Sequence, residues 1–278
     1  LDLAAGRTAD ARQRVDAALA LAPRSAALHV LAAKLLLGAG NRADAERSLH
    51  TAIACEPQSA TAYLLLARLS LQAKRPDEAV AQLRAGIARE PNDTASAMLL
   101  AVIEHERGHT EAARACYEQI LARHPRFTPA LNNLACLCAE NPSQLDRAYE
   151  LAQRARQLSP GDPHLADTLG WVLYRRGQFV WARALLRESA ARLPRDPAVL
   201  YHLGLTHYML ADPAPVREAL AQALALDPAF PHRTDLVARL RLVERFLASE
   251  PTDGDEPAVA DGNEIDPMAL RLRGTRRE

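Results

Sequence analysis

Aromatic residues, long apolar runs and an excess of either charge are all scarce in this chain of 278 residues. Phe, Trp and Tyr supply only 4% of it, whereas 49% is hydrophobic, chiefly Ala and Leu. Because Ala and Leu are strong helix formers, the composition predicts an all-α protein. The 34 basic residues equal the 34 acidic ones, so charge gives no case for a nucleic-acid ligand or a membrane surface.

The apolar runs are short, as in Tyr63 to Ala67 or Leu35 to Leu37. A membrane-spanning helix needs about 20 apolar residues, so no membrane span is expected. No signal-like leader follows Leu1. The compartment stays open: the cytoplasm is favoured, and a periplasmic or membrane-associated location is expected if a leader precedes this sequence.

Cysteine is also sparse, and its spacing shows no paired disulfide framework. The four residues are Cys55, Cys116, Cys136 and Cys138. Cys136 and Cys138 lie two apart, so on a helix they point about 200° away from each other and cannot readily chelate one metal. We therefore expect the four cysteines to be small buried hydrophobic residues of a protein in a reducing compartment.

Proline, in contrast, recurs with a fixed period. The spacing is 34 residues with one interval of 35, at Pro23, Pro57, Pro91, Pro125, Pro160, Pro194 and Pro228. A period of this length indicates a repeat array. Since proline cannot continue a helix, each of these prolines predicts the end of one.

Other positions keep the same phase when each repeat is counted from three residues after its proline. Position 8 is always small: Ala33, Ala67, Ala101, Ala135, Gly170 and Gly204. Position 20 reads Ala45, Ala79, Ala113, Ala148 (after one inserted residue), Ala182 and Val216. Small residues there let two antiparallel helices approach closely. Position 15 is glycine in three repeats, at Gly40, Gly108 and Gly177, and predicts the turn between the two helices.

This pattern resembles the tetratricopeptide repeat over Leu1 to Phe230. The resemblance implies a right-handed α-solenoid of helix-turn-helix repeats. Residues 1–25 are interpreted as a partial repeat, so we expect that something precedes Leu1. Residues 26–230 hold six full repeats: 26–59, 60–93, 94–127, 128–162, 163–196 and 197–230.

Two further segments follow the repeats. Residues 231–249 carry an apolar stripe that includes Leu236, Leu240 and Val243, which predicts a capping helix over the last repeat. Residues 250–278 form a tail that is acidic and then basic. The sequence is compatible with a flexible tail and with a docked one, and Met268 to Gly274 is the segment best able to dock on the repeats.

One catalytic motif occurs: His105-Glu106-Arg107-Gly108-His109 matches the H-E-x-x-H of zinc proteases. That chemistry needs both histidines on one unbroken helix. Gly108 occupies the predicted turn, and no third ligand is evident. The sequence therefore disfavours a zinc hydrolase, and we expect no enzymatic activity, no metal and no cofactor.

The resemblance implies that the first helix of each repeat lines a concave groove, chiefly through positions 2, 5, 9, 12 and 13. In the later repeats these positions are rich in Trp, Tyr and Arg, the residue types common at binding hot spots. The expected groove residues are Asn132, Asp167, Trp171, Tyr174, Arg175, Tyr201 and Tyr208. The alternative is that these aromatic rings pack between neighbouring repeats.

The expected function is a scaffold that binds a partner peptide or helix in this groove, with no nucleic acid. The alternative is a regulatory or assembly subunit that acts through the array edges and the tail, with self-association through the array ends. Leu131 to Leu226, with its N-N-L-A, L-D-x-A and D-T-L-G-W motifs, resembles bacterial tetratricopeptide proteins of exopolysaccharide export and PEP-CTERM sorting. A bacterial assembly or export system is the setting that this resemblance implies.

Overall fold

The computed structural model describes residues 8–248, and these contain fourteen α-helices, one short 3-10 helix and no strand. The predicted all-α architecture of successive helix pairs is therefore confirmed. The described residues divide after Pro125 into two compact units. None of the described helices is long and apolar enough to cross a membrane.

The first unit contains a single helix followed by three helix pairs. Its helices are α1 (Thr8–Leu21), α2 (Ala26–Gly38), α3 (Arg42–Cys55), α4 (Ala60–Gln72), α5 (Pro76–Arg89), α6 (Thr94–Glu106) and α7 (Thr110–Arg123). In each pair of this unit the second helix packs on its own first helix, and α3 and α5 also pack on the first helix of the next pair. Successive pairs therefore bury apolar residues against each other, as repeat architectures do.

The second unit continues the alternation. Its helices are α8 (Thr128–Ala139), α9 (Leu145–Leu158), α10 (Pro163–Arg175), α11 (Phe179–Arg192), α12 (Pro197–Met209), α13 (Pro213–Leu226) and α14 (Arg233–Ala248). The 3-10 helix, Pro142–Gln144, lies between α8 and α9. It occupies the turn of the one repeat that is a residue longer than the others, and so takes up the insertion.

Each predicted closing proline marks a helix end. Every one of the seven stands two residues beyond the last helical residue: α9 ends at Leu158 before Pro160, and α11 ends at Arg192 before Pro194. In four of the six full repeats the first helix then begins at a side-chain cap, as where Asp196 accepts hydrogen bonds from the N–H groups of Ala198 and Val199 at 2.9 and 3.3 Å.

The small residues of position 8 lie at the contact between the two helices of each pair. Ala33, Ala67, Ala101 and Ala135 are completely buried. A Cβ atom on Gly170 would lie 2.7 Å from Cγ of Leu186, closer than packed carbon atoms can approach. The α10–α11 contact therefore depends on the missing side chain, as the sequence pattern predicted.

The predicted capping helix is present as α14, which packs on α13. Its apolar stripe faces inward, and Leu236 and Val243 are completely buried. The expectations for the first seven residues of the partial repeat and for the tail from residue 250 onward lie outside the described residues.

Candidate functional site

Three rings from two neighbouring first helices form a stack in the second unit. The Trp171 ring on α10 is nearly parallel to Tyr174, with the ring centroids 4.9 Å apart and the planes 8° apart. It also lies 4.3 Å from the His202 ring on α12, at an interplanar angle of 19°. All three side chains are partly exposed. This group is called the Trp171 stack below.

Asp167 fixes the orientation of His202. Nδ1 of His202 lies 2.9 Å from Oδ1 and 3.2 Å from Oδ2 of Asp167. An ionised carboxylate only accepts hydrogen bonds, so the Nδ1–H group of His202 donates and Nε2 is left on the other edge of the ring. The structure therefore brings Asp167 and Trp171 together through a histidine that sequence reasoning did not select.

Arg175 lies beside the stack. Its guanidinium carbon is 5.9 Å from the centroid of the Trp171 ring, within the range of a cation–π contact. Its Nη2 atom lies 3.5 Å from the backbone oxygen of Glu140, the outer limit of a hydrogen bond. Within residues 8–248 the guanidinium makes no ion pair. A cation next to an aromatic surface is thus available for a carboxylate.

Asn132 occupies the same repeat position on α8 that Asp167 occupies on α10. Its side chain is partly buried, and Oδ1 is buried with no hydrogen-bond partner among the described residues. A buried acceptor that stays unpaired costs roughly 1–3 kcal/mol. The amide is therefore a polar group with unused hydrogen-bonding capacity on the first-helix side of this unit.

Tyr201 and Tyr208 are placed differently, because α14 covers both. Only 6% of Tyr201 and 4% of Tyr208 is exposed. The Tyr201 hydroxyl donates to Oδ2 of Asp235 at 3.1 Å, and the guanidinium of Arg239 lies 4.9 Å from the centroid of the Tyr208 ring. Nε of Arg239 in turn donates to both carboxylate oxygens of Asp235.

The surroundings of Tyr201 act on its ionisation as well. Burial raises the pKa of the phenol, and the nearby negative charge of Asp235 raises it further. The ring also stacks on His232 at 5.1 Å, with the planes 6° apart. These two tyrosines therefore pack between neighbouring helices, which is the alternative that the sequence left open. Neither presents a ring to solvent.

Position 6 of the repeat carries the signal that could have identified His202. This position is leucine in the first three full repeats and polar in the last three: Leu31, Leu65, Leu99, Asn133, Thr168 and His202. A change from apolar to polar residues at one repeat position indicates a change in what the helices face. This change is visible when the six repeats are aligned on one another.

Cys136 lies on the same side but is not a reactive thiol. Its sulfur is 3.6 Å from the hydroxyl of Thr168. Burial raises the pKa of the Cys136 thiol to about 11, so the group is protonated near neutral pH. A thiol is nucleophilic as the thiolate, and this environment therefore does not support cysteine chemistry.

The H-E-x-x-H motif spans a helix break. Helix α6 ends at Glu106, Gly108 has a φ of +76°, and α7 begins at Thr110. Nδ1 of His109 donates to Oε2 of Glu104 at 2.6 Å instead. Among residues 8–248, no group of three His, Cys, Asp or Glu side chains is arranged to hold a metal ion.

Glu104 is the buried centre of an ionic cluster in the first unit. Its side chain is 2% exposed and contacts Nη2 of Arg84 at 2.8 Å as well as His109. Burial by itself would raise the pKa of this carboxyl. The hydrogen bond from His109 and the charge of Arg84 outweigh burial and hold the pKa below its ordinary value. The cluster joins α5, α6 and α7.

Two family models described as tetratricopeptide repeat match this chain. One matches residues 2–69 and 36–103, and the other matches residues 98–163. Together they run from residue 2 to residue 163. A TPR repeat-containing protein of Pseudomonas aeruginosa is 39% identical over 75 residues, which are 27% of this chain and 12% of that protein. The chain thus matches a small part of this relative's length.

Several solved structures share the fold. Pseudomonas aeruginosa PilF has a TM-score of 0.63 and 18% identity, with 77% of this chain and 97% of that chain covered. PilW, described as a widely conserved type IV pilus biogenesis factor, has a TM-score of 0.63 and 17% identity over 76% of this chain and 98% of its own.

YrrB, described as a TPR protein with an unusual peptide-binding site, has a TM-score of 0.53 and 16% identity, covering 71% of this chain and 99% of that chain. At these identities the similarity concerns the fold alone. The repeat period, the successive helix pairs and the two family models show that this chain belongs to the tetratricopeptide repeat family, whose members are in general non-enzymatic scaffolds for protein interactions.

Proposed function

We propose that this protein is a non-enzymatic scaffold that binds an extended segment or a helix of a partner protein beside the Trp171 stack. The observation that carries the proposal is the pairing of partly exposed rings with Arg175, which makes no ion pair within residues 8–248. Trp, Tyr and Arg are the residues most often found at the energetic centres of protein interfaces.

Each residue of the site has a separate role in this proposal. Trp171 and Tyr174 supply apolar area, and Arg175 pairs with a carboxylate through two parallel hydrogen bonds. The NH2 group of Asn132 donates to a backbone carbonyl of the partner, since its Oδ1 atom is buried. Asp167 acts through His202, because both of its oxygens already face that ring. Tyr201 and Tyr208 support the site from beneath α14 and do not contact the partner.

The partner that fits this chemistry carries an acidic side chain next to an aromatic or branched aliphatic one. The bacterial setting is an assembly or export system. Two observations support that setting: the resemblance of Leu131 to Leu226 to proteins of exopolysaccharide export, and the fold shared with PilW, which is described as a pilus biogenesis factor.

A peptide-display selection against the purified protein tests the proposal. We expect enriched peptides to combine an acidic residue with a neighbouring apolar one. The Trp171→Ala/Arg175→Ala variant should then bind them at least about 30-fold more weakly, because a hot-spot residue contributes about 2 kcal/mol.

The chain offers a matched control. Trp181 on α11 is 71% exposed, and Arg187 on the same helix is also exposed. The Trp181→Ala/Arg187→Ala variant loses the same two residue types and should bind normally. If it loses binding instead, while the first variant still binds and remains helical, the partner surface lies on the second helices and the proposal is wrong.

The absence of zinc-dependent catalysis belongs to the same proposal. It is supported by the helix break at Gly108 and by the engagement of His109 with Glu104. Metal analysis of the protein after incubation with zinc and dialysis should give far less than one bound ion per chain. Stoichiometric zinc that is lost in His105→Ala would contradict this part of the proposal.

A further inference from the structure

Two second helices of the second unit begin differently from the earlier ones. Helices α3, α5, α7 and α9 each have an acidic residue in the first turn, whereas α11 and α13 have none. An acidic side chain is favourable there, because the N-terminus of a helix carries a partial positive charge. Positions 18 and 19 of the repeat are instead apolar, with Val180 and Trp181 in α11 and Ala214 and Pro215 in α13. The last two repeats thus share an apolar pair where the others place a charge.

The apolar pair faces solvent, and each helix continues it along one side. Val180 is 61% exposed and Trp181 is 71% exposed. Residues four, seven and eleven positions after the first residue of the pair lie on the same side of the helix, and all of them are exposed. The stripes are Val180, Ala184, Arg187 and Ala191 in α11, and Ala214, Glu218, Ala221 and Ala225 in α13. The two stripes together with Trp181 and Pro215 are called the α11–α13 face below.

An ion pair holds the starts of the two helices together. Nη1 of Arg183 on α11 lies 3.1 Å from Oδ2 of Asp212, the residue before α13. The same oxygen lies 3.3 Å from Nδ1 of His207, which is buried on α12. Both second helices also pack on α12. Trp181 and Pro215 therefore lie at the same level on neighbouring helices, one repeat apart.

Trp181 projects from this face, whereas the α13 side of the face is recessed. The recess has a volume of about 530 Å³ and is lined by Ala214, Pro215, Arg217, Glu218, Ala221 and Glu244. A cavity of about 150 Å³ already accommodates a benzene ring, so the recess has room for an indole. Trp181 is not one of the lining residues, so its ring does not occupy the recess of its own chain.

The only two charges in the stripes have opposite signs. Arg187 is on α11 and Glu218 is on α13; both are exposed, and neither takes part in an ion pair within residues 8–248. They occupy positions 25 and 22, which are about 4.5 Å apart along the helix direction. When α11 of one copy lies parallel to α13 of another, each Arg187 comes within reach of a Glu218. The other stripe residues are mostly alanine, which lets two helices approach closely.

We infer that two copies of this chain associate through the α11–α13 face, with the two-fold axis between α11 and α13 and parallel to them. Trp181 of each copy enters the recess of the other, and Arg187 of each pairs with Glu218 of the other. A two-fold contact needs a self-complementary surface. Ring and recess, and likewise cation and anion, are divided between the two helices, and this arrangement favours a second copy over an unrelated partner.

The inference does not rest on the proposed function. The α11–α13 face belongs to second helices, whereas the Trp171 stack belongs to the first helices α10 and α12. A variant that no longer dimerises therefore keeps its stack, so loss of the dimer and loss of peptide binding are separate results. The dimer joins two stacks, which strengthens binding to a partner that presents its segment more than once.

Sedimentation equilibrium of the full chain tests the inference. Over about 1–500 μM the mass should rise reversibly from one chain to two and stop there, since a small contact is weak and a two-fold contact is closed. Trp181→Ala should weaken the dimer at least about 100-fold, because each dimer loses a hot-spot ring twice. Leu21 is 90% exposed at the end of α1, so Leu21→Ala is the matched control and should leave the dimer unchanged.

Charge reversal tests how the two copies are aligned. Arg187→Glu alone and Glu218→Arg alone each bring like charges together in both pairs, and each should weaken the dimer about tenfold. An equal mixture of the two variants should dimerise nearly as strongly as wild type, because opposite charges then meet in both pairs. Arg195 is exposed outside the face, so Arg195→Glu should change nothing. Circular dichroism verifies that each variant is helical.

Four results would each overturn the inference. The first is a chain that stays monomeric over this range of concentration. The second is a dimer that ignores Trp181→Ala or is lost in Leu21→Ala, which would place the contact elsewhere. The third is a mixture of the two charge variants that dimerises no better than either variant alone. The fourth is growth beyond two chains, which a closed two-fold contact does not allow.

Discussion

Glu104 shows how a single buried charge joins neighbouring repeats. Its carboxylate lies between Arg84 of α5 and His109 at the start of α7. The two partners are themselves more than half exposed, so they stay hydrated if the carboxylate is removed. For this reason removal of the Glu104 carboxylate should lower the free energy of unfolding by about 1–2 kcal/mol, the contribution of its charged hydrogen bonds. The larger cost of leaving a buried cation without a partner does not arise.

We expect this contribution to depend on pH with a definite sign. The folded-state pKa of Glu104 lies below its ordinary value of 4.5. The stabilisation is therefore fully present above the unfolded-state pKa and is lost as pH falls through the folded-state pKa. Thermal unfolding of wild type and Glu104→Gln should differ at pH 7 and converge in acid.

The control for this prediction is Glu111→Gln, because the Glu111 side chain is 82% exposed. It should unfold like wild type at both pH values. A Glu104→Gln protein whose loss of stability is the same at pH 7 and in acid would show that the ionised carboxylate contributes nothing.

At the level of the helix pair, the turn between the two helices has one conformation that recurs in both units. Gly40, Gly108 and Gly177 have φ values between +74° and +77°. Two other repeats place non-glycine residues in the same turn: Lys74 has a φ of +58° and Ala211 a φ of +55°. A side chain in this left-handed region costs roughly 1–2 kcal/mol.

Glycine at these two positions should therefore stabilise the protein. We expect Lys74→Gly and Ala211→Gly each to raise the free energy of unfolding by about 0.5–1 kcal/mol, after the loss of chain entropy is subtracted. Chemical denaturation measures this. Ala73→Gly is the neighbouring control, since Ala73 has a φ of −85° and should lose stability. A decrease in both test variants would refute the strain argument.

The first helices of the two units differ in chemistry although their backbones follow the same rules. Position 6 is leucine in the first unit and is polar or His in the second. The contact of His202 with Trp171 and its hydrogen bond with Asp167 are consequences of that change. Pair geometry and surface chemistry are thus set by different repeat positions, so the surface of a repeat can vary without altering its fold.

At the scale of the whole molecule, each repeat should be stabilised mainly by its contacts with the repeats next to it, as in other repeat proteins. Leu83 on α5 is completely buried and packs with Ala67, Leu100 and Ile103 of the adjacent helices. Leu83→Ala should cost about 2–5 kcal/mol locally. Amide exchange should accelerate most in α4, α5 and α6 and less in α2.

Ala81→Ser on the exposed side of the same helix is the control and should change exchange only slightly. Hydrogen exchange read by mass spectrometry resolves the individual helices. Uniform acceleration over residues 8–125 would mean that the first unit opens as a single block, contrary to the nearest-neighbour view.

The helix ends were predictable because their cause is local. A proline removes a backbone donor and clashes with the preceding turn wherever it occurs, so a regular proline gives a regular helix end. Small residues at position 8 likewise predicted the close helix contacts, since Gly170 and Ala182 lie within one pair and only about a dozen residues apart. Trp171 and Tyr174 belong to one helix turn, and their proximity followed from the same periodicity.

What covers a side chain was decided only by the tertiary structure. Tyr201 and Tyr208 have the repeat positions of groove residues, yet α14 buries both through Asp235 and Arg239. His202 reaches Trp171 from the next repeat. The sequence by itself determined the repeat, the helix pairs and the direction of each side chain, because these depend on residues close in the chain. Exposure depends on which later element packs on that face, and this is settled by contacts between residues some 30 positions apart.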